Sequence, residues 1–455
     1  GYEGFTPIDE VQTMDTLNRR AFLRSSLGVA GTLALWPPAR ARGANDKIVV
    51  GVMGLGGRGT YLAEKFAERS DAEVAYLCDP NTRRFARARE AVEEAQDRPP
   101  KMLQDFRKML DDKSVDVIIN ATPDHWHALG SILACQAGKD VFVEKPLAHN
   151  IWEGRKMVEA ARKHQRVVQV GMQSRSAPYV QKARDYILAG KLGEVYLVRV
   201  YNMMQHPKQA DTPDGPVPDG FDYELWCGPA PKRPYNPSRQ WLNQWDYSCG
   251  PIAGDAVHQF DLARFLTGDI PYPKAVSQTG AIRVLRGGRD MPDTQMALFE
   301  YDNLTITLDA TLWTPYMKKI PAGIRDSDQF PNWPFCATKV EVLGTEGFMY
   351  FGRHGGGWQA YDRDGELVHS EYGRQGDKEH QDNFVECVRS RKRATSDVEI
   401  GHLSVLPFHI ANISYRVGNQ RLEFDGATES FTNCDEANQY LKRQYRPGWT
   451  IPENV

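Results

Sequence analysis

The sequence predicts an α/β protein. Its N-terminal part is expected to be a doubly wound parallel sheet, and its C-terminal part an α+β domain with a large, mostly antiparallel open sheet. Three observations predict this. Short β-rich apolar runs alternate with helical patterns between Lys47 and Gly171. A glycine-rich turn separates the first of those strands from its helix. Beyond Lys191-Leu192-Gly193 the pattern changes to long β stretches. Alternating β and α with apolar strands is the pattern of a parallel sheet covered on both faces.

A chain of 455 residues exceeds what one core organises, so two domains are expected. Charged residues are 25% of the chain, and 56 Lys+Arg against 59 Asp+Glu leave a net charge of −3. No block of like charge stands out, which disfavours a nucleic-acid partner. No apolar run approaches the ~20 residues of a membrane span. The seven cysteines form no CxxC pair and no even framework, and His125-Trp126-His127 lacks further ligands at metal spacing, so no metal site is expected.

Residues 1–41 read as an address. Arg19-Arg20 and Phe22-Leu23 precede an uncharged stretch from Ser25 to Leu35, and Ala39-Arg40-Ala41 is a small-x-small site. That layout is similar to a twin-arginine export signal and predicts a periplasmic or secreted protein. The segment is set apart from the fold. The organisation expected is a leader at 1–41, a dinucleotide-binding domain at 45–170, an α+β substrate and oligomerisation domain at 171–440, and a C-terminal extension at 441–455.

The first element is a strand from Lys47 to Met53. It runs into Gly54-Leu55-Gly56-Gly57-Arg58-Gly59, and a helical pattern follows from Thr60 to about Ser70. A GxGxxG between a strand and a helix lets backbone approach a pyrophosphate, with the helix N-terminus facing the phosphates. Gly54, Leu55, Gly56, Arg58 and Gly59 are therefore cofactor candidates. A second strand, Glu73 to Leu77, ends at Asp79, 20 residues beyond Gly59. A carboxylate there accepts from ribose hydroxyls and repels a 2′-phosphate, which favours NAD over NADP. Arg83 and Arg84 pull the other way. Further strands are expected at Val115–Ala121, Asp140–Val143 and Val167–Gly171.

Two segments at strand C-termini carry chemistry: Ala121-Thr122-Pro123-Asp124-His125-Trp126-His127 and Val143-Glu144-Lys145-Pro146. With GxGxxG and Asp79 before them, their order resembles the Gfo/Idh/MocA family of oxidoreductases, over roughly Lys47 to the C-terminus. Gly171-Met172-Gln173-Ser174-Arg175, the stretch 224–231, His380–Phe384 and Tyr445–Trp449 resemble exported members. The resemblance implies a Rossmann domain, NAD as cofactor, a sugar or polyol substrate, and a homo-oligomer (dimer or tetramer) built on the open sheet. It makes Lys145 the catalytic residue on the nicotinamide side. Its partner in the family is a His in a D-x-x-x-H-x-x-D stretch. Here His258 and Asp261 match, whereas Gly254 stands where the first Asp is expected and Asp255 follows one residue late. Lys145, His258 and, less firmly placed, Asp255 are the catalytic candidates. Thr122, Pro123, His127, Glu144, Lys145 and Gln173 join the cofactor set. Trp126, His127, Arg175, Trp241 and His258 form the substrate set.

In the second part, strands are expected at Glu194–Asn202, Gln295–Tyr301, Leu304–Leu312, Thr338–Leu343 and Gly347–Phe351. Two Pro-rich stretches, His206–Pro237 and Pro315–Pro334, are longer than ordinary connections and suggest binding loops or lids. Arg239, Trp241, Trp245, Asp246 and Tyr247 suit stacking on sugar faces. The activity expected is NAD-dependent oxidation at a CH–OH carbon, with a cofactor carried in tightly bound and recycled in place. A glycosidase working by transient oxidation, and a non-catalytic nucleotide- or sugar-binding protein, are the alternatives.

Overall fold

The computed structural model describes residues 47–208 and 212–455. The leader expected at 1–41 lies outside the described residues. Residues 47–455 form one compact unit. It contains two sheets.

The first sheet holds β1 (Ile48–Met53), β2 (Ala72–Cys78), β3 (Lys101–Leu103), β4 (Val117–Asn120), β5 (Asp140–Val143) and β6 (Val168–Val170). They run parallel in the order β3-β2-β1-β4-β5-β6. Every residue of β4 and β5 is buried, as expected for strands covered on both faces. The order reverses between β1 and β4. The strand C-termini on either side of that switch open a crevice, which is where ligands bind in doubly wound sheets.

The second sheet has ten strands in the order β14-β13-β12-β11-β7-β10-β9-β8-β15-β16. They are β7 (Val195–Met203), β8 (Ala275–Ala281), β9 (Thr294–Glu300), β10 (Thr305–Thr311), β11 (Lys339–Gly344), β12 (Gly347–Gly352), β13 (Trp358–Asp362), β14 (Leu367–Glu371), β15 (Leu422–Asp425) and β16 (Ser430–Phe431). Every pairing is antiparallel except β7 with β10. Strict alternation of buried and open residues along β9 and β10 shows one face packed and one face open. The packed face is covered by the helices Val257–Leu266 and Val398–Arg416, and Phe260, Phe299 and Phe408 interlock there at 4.7–5.9 Å between ring centres.

The expected elements are present with two kinds of correction. The first helix runs Gly57–Ala67, not Thr60–Ser70: the glycines that pattern as turn are its opening residues. Strands β3, β8, β13, β14, β15 and β16 were not expected from the sequence. β14 is an edge strand with no buried residue, so no alternation marks it. β8 carries Ser277, Gln278, Thr279 and Gly280 and is held by its neighbour β9. All seven cysteines are free, and burial pushes the Cys135 thiol up to about 12. Among the described residues no helix is long and apolar enough to cross a membrane. The segment from Tyr440 folds back: Arg443 Nε pairs with Glu153 at 2.7 Å, and Trp449 meets Trp126 edge-on at 5.3 Å.

Candidate active site

A cavity of about 930 Å³ opens over the C-terminal edge of the parallel sheet. That is near the top of the ~300–1,000 Å³ range of ligand sites, with room for a dinucleotide and a second small molecule. One wall comes from the loops after β1, β2, β4, β5 and β6. The facing wall comes from Gly254, His258 and the glycine-rich turn after β12. The stretch 221–247 closes the third side with Tyr223, Trp226, Trp241 and Tyr247. The first Pro-rich stretch thus lines the cavity, and the second reaches it through Arg325.

The dinucleotide loop follows from close packing. Gly54 has φ +88°, and a Cβ there would sit 2.5 Å from the carbonyl oxygen of Ala121. A Cβ on Gly59 would lie 1.8 Å from the oxygen of Gly54, so the helix can lean on the loop only without a side chain. Gly57 faces open space. The helix begins at Gly57 with no capping side chain, which leaves its first N–H groups for an acceptor in the cavity. Asp79 directly follows β2 and is 5% exposed. Its Oδ2 accepts from the Leu55 N–H at 2.8 Å and its Oδ1 from the Asn81 N–H at 2.9 Å. Burial outweighs those two N–H donors and leaves this carboxyl above the usual carboxylate range. Each oxygen keeps a lone pair for a ribose hydroxyl. Loop, helix start and carboxylate together fit a dinucleotide.

Asp79→Ser is expected to weaken NAD about 10–100-fold, the loss of charge-assisted hydrogen bonds. Discrimination against NADP should shrink with it, because Arg84 Nε lies 3.8 Å from Asp79 Oδ2 and is half-exposed. Calorimetric titration of both nucleotides decides it, and an unchanged NAD/NADP ratio would remove Asp79 from this role.

The chemical centre lies where the walls meet. Lys145 Nζ donates to the carbonyl oxygen of Gly254 at 2.5 Å. Gly254 belongs to a π-helical turn, Ile252–Ala256, that runs into the helix carrying His258; single π turns often mark functional sites. His258 lines the cavity and is 7% exposed. Burial, reinforced by Arg353 and Lys145, holds its imidazole well below the usual range, so the ring is neutral near pH 7. Glu144 sits behind Lys145 and accepts from Arg58 Nε at 2.7 Å. Burial pushes the Glu144 carboxyl up, but Arg58 outweighs it and keeps it ionised. Arg58 also reaches Asp377 at 3.1 Å.

Gly54, Gly56, Arg58, Asp79, Thr122, Pro123, Glu144, Lys145, Gln173, Trp126, Trp241 and His258 all line the cavity. Other candidates do not. Leu55 turns its side chain into the core and contributes only its N–H to Asp79, and Gly59 serves the helix packing. His127 is 1% exposed, and its ring nitrogens face the carbonyls of Pro146 at 2.6 Å and Thr122 at 2.9 Å. It braces the turn after Lys145 and does not line the cavity. Arg175 is buried against Asp261, with Nε 2.8 Å from both carboxylate oxygens, and against Asp269 at 2.6 Å. It is a structural ion pair, which also accounts for Asp261. Trp126 does line the cavity but is 4% exposed. Its Nε1–H donates to the Trp226 carbonyl oxygen at 2.8 Å and its ring meets Phe106 and Trp449 edge-on at 5.3 Å, which leaves little ring surface for a sugar. Trp245 stacks on Tyr415 instead of entering the cavity.

Asp255 needs the largest correction. Its Oδ1 takes Arg353 NH1 at 3.1 Å, and Oδ2 is buried with no partner among the described residues. Burial pushes its carboxyl up, but Arg353, Lys319 and Lys145 outweigh that and hold it far below the usual range. A group held so low does not carry a proton near neutral pH. Asp255 is a fixed negative charge behind the wall.

Sequence reading missed Arg353, His354, Arg325 and Tyr179, which line the cavity. The one available signal was the run Gly355-Gly356-Gly357, all three at positive φ after β12.

Comparison with known proteins adds three family matches. Residues 48–172 match the oxidoreductase family model with an NAD-binding Rossmann fold, 180–350 the GFO/IDH/MocA C-terminal domain, and 365–451 the oxidoreductase family C-terminal alpha/beta domain. A glycosyl hydrolase family 109 protein from Shewanella sp. (strain ANA-3) is 32% identical over 176 residues, covering 34% of this chain and 39% of that protein. Levoglucosan dehydrogenase from Pseudarthrobacter phenanthrenivorans is 28% identical over 218 residues, covering 44% of this chain and 50% of that one. The chain thus aligns with half or less of the length of these relatives. Among solved structures, the WlbA dehydrogenase from Bordetella pertussis, in complex with NADH and UDP-GlcNAcA, superposes with a TM-score of 0.60. It is 21% identical, and the match covers 83% of this chain and 99% of that one.

Proposed function

The chain belongs to the Gfo/Idh/MocA oxidoreductase family, and on that premise we propose that it is an NAD-dependent oxidoreductase acting at a CH–OH carbon of a sugar, polyol or glycoside. The observation that carries this is the meeting of Lys145 and His258 on one cavity with the dinucleotide loop.

Bound NAD supplies the two-electron acceptor. The residues of the chain do the rest. Oxidising an alcohol carbon requires loss of its hydroxyl proton, so a group in hydrogen-bond reach must take it. His258 is neutral and has a ring nitrogen available to accept. Lys145 Nζ is anchored on Gly254, and two of its donors remain for the reacting oxygen. Arg353 and Asp255 behind them form a fixed pair that holds the π turn, and with it the Lys145 anchor, in place. Trp226, Trp241 and Tyr247 supply an aromatic wall on the third side of the cavity.

The Arg19-Arg20 pattern supports export, and a compartment without a free NAD pool favours a cofactor that enters bound and is regenerated in place. The second reading is a glycosidase that oxidises transiently, eliminates and re-reduces; the family 109 relatives favour it. The test is to denature the purified protein and quantify released nucleotide, then analyse products from sugars and glycosides. Near-stoichiometric NAD(H) with a keto sugar or lactone supports the main reading. Free glycone without net oxidation supports the second. Sugar binding that never changes the redox state of bound NAD would make the protein a binding module and overturn both.

A further inference from the structure

We propose that the substrate is an acidic sugar, and that Arg325 binds its carboxylate where the Pro-rich stretch 315–334 reaches the cavity. The proposal rests on the reading above and names the substrate class of the same site.

The argument starts from charge pairing around the cavity. Arg58 is matched by Glu144 and Asp377, Arg84 by Asp79, Arg239 by Asp214 and Arg353 by Asp255. Arg325 also lines the cavity, but no carboxylate answers it among the described residues. Its Nε donates to the carbonyl oxygen of Ile320 at 2.8 Å, and its two terminal nitrogens hold no acceptor among those residues. Around it the balance is one-sided. Arg353, Lys145 and Lys319 add positive charge, and Asp255 is the acid that faces them.

The placement of Arg325 is built rather than incidental. It closes the short helix Ala322–Arg325, and its backbone is pressed against the glycine turn: a Cβ on Gly355 would sit 1.9 Å from the Arg325 oxygen. Next to it, Asp326 Oδ1 accepts the Gln375 N–H at 3.0 Å, and Asp328 pairs with Arg374 at 2.6 Å. Neighbouring His354 also lines the cavity, with Nδ1 3.4 Å from Thr338 Oγ1. Its ring is neutral: burial holds it well below the usual range, and Arg353 and Arg325 add to that.

An arginine with its paired N–H fork free fits a carboxylate in two parallel hydrogen bonds. Such an anchor at one end of a ring would hold the other end against Lys145 and His258.

The test is calorimetric binding of D-glucuronate, its uncharged amide D-glucuronamide, and D-glucose 6-phosphate to the NAD-loaded protein. D-glucuronate is expected to bind about 10–100-fold tighter than the amide, the worth of a charge-assisted pair. In Arg325→Met that ratio should fall to about 1, and Arg325→Lys, which keeps the charge without the fork, should restore part of it. A thermal melt checks that each variant folds. Equal affinity for acid and amide in the wild type overturns the proposal, as does a ratio unchanged in Arg325→Met. Preference for the phosphate would overturn the carboxylate assignment. Binding is read without turnover. If glucuronate binds through Arg325 but never changes bound NAD, the redox reading fails while the anion site stands.

Discussion

Lys145→Met is expected to lower turnover about 10³-fold or more, while NAD content and fold are kept. The reason is geometric. Lys145 is the cation anchored where the strand edge meets the π turn, and its Nζ is held 2.5 Å from the Gly254 oxygen. Methionine fills similar space but offers no donor to the reacting hydroxyl, and correctly placed acid–base groups contribute about 10²–10⁴ each. Loss of positioning adds to that. The structural cost is small, because one carbonyl loses one donor, about 1 kcal/mol. The measurement is single-turnover reduction of bound cofactor at 340 nm, beside nucleotide content and a melting curve. Full turnover in a folded, NAD-loaded variant would remove Lys145 from the chemistry and with it the main support for the proposed activity.

Arg175→Leu should produce the opposite signature: a large loss of stability with no selective loss of substrate affinity. Arg175 and Asp261 are each almost fully buried, and Ser404 completes the network through Asp261 Oδ1 at 2.6 Å. Removing the guanidinium strands Asp261 in the interior, a change that costs about 3–5 kcal/mol. Asp269 loses less, because it is a third exposed and keeps Arg184 at 3.0 Å. The double variant Arg175→Leu/Asp261→Leu should recover part of the loss, since a buried pair can often be replaced by apolar side chains at little cost. Chemical denaturation of both variants reads it. A raised KM for Arg175→Leu at unchanged stability would return Arg175 to the substrate set.

These two residues show where sequence reading succeeds. Lys145 and the glycine loop were legible because local chemistry and local geometry coincide. A strand must end there, the glycines permit a turn that other residues do not, and Lys-Pro at the sheet's edge faces the crevice. Arg175 and His127 sit in motifs of equal apparent weight, yet their partners are Asp261, Asp269 and the Pro146 carbonyl, distant in sequence or hidden in backbone. No spacing rule distinguishes a buried ion pair from a substrate anchor, because both use the same side chain and differ only in what surrounds it.

Family resemblance of their motifs made Lys145 and His258 candidates, and the sequence by itself determined the parallel sheet with its glycine-rich turn and the Asp79 carboxylate at the end of the second strand. These depend on periodicity, steric allowance and short-range order along the chain. Tertiary structure alone decided that Asp255 is a fixed charge and not a proton carrier. It also decided that Trp126 is held by Phe106, Trp449 and the Trp226 carbonyl, and that Arg353, His354 and Arg325 line the cavity. Those outcomes depend on which charges and rings arrive from other elements, 20 residues away for Phe106 beside Trp126 and 98 for Arg353 beside Asp255. The ionisation of a buried group is set by the field of its neighbours and by burial, and neither exists until the chain has folded.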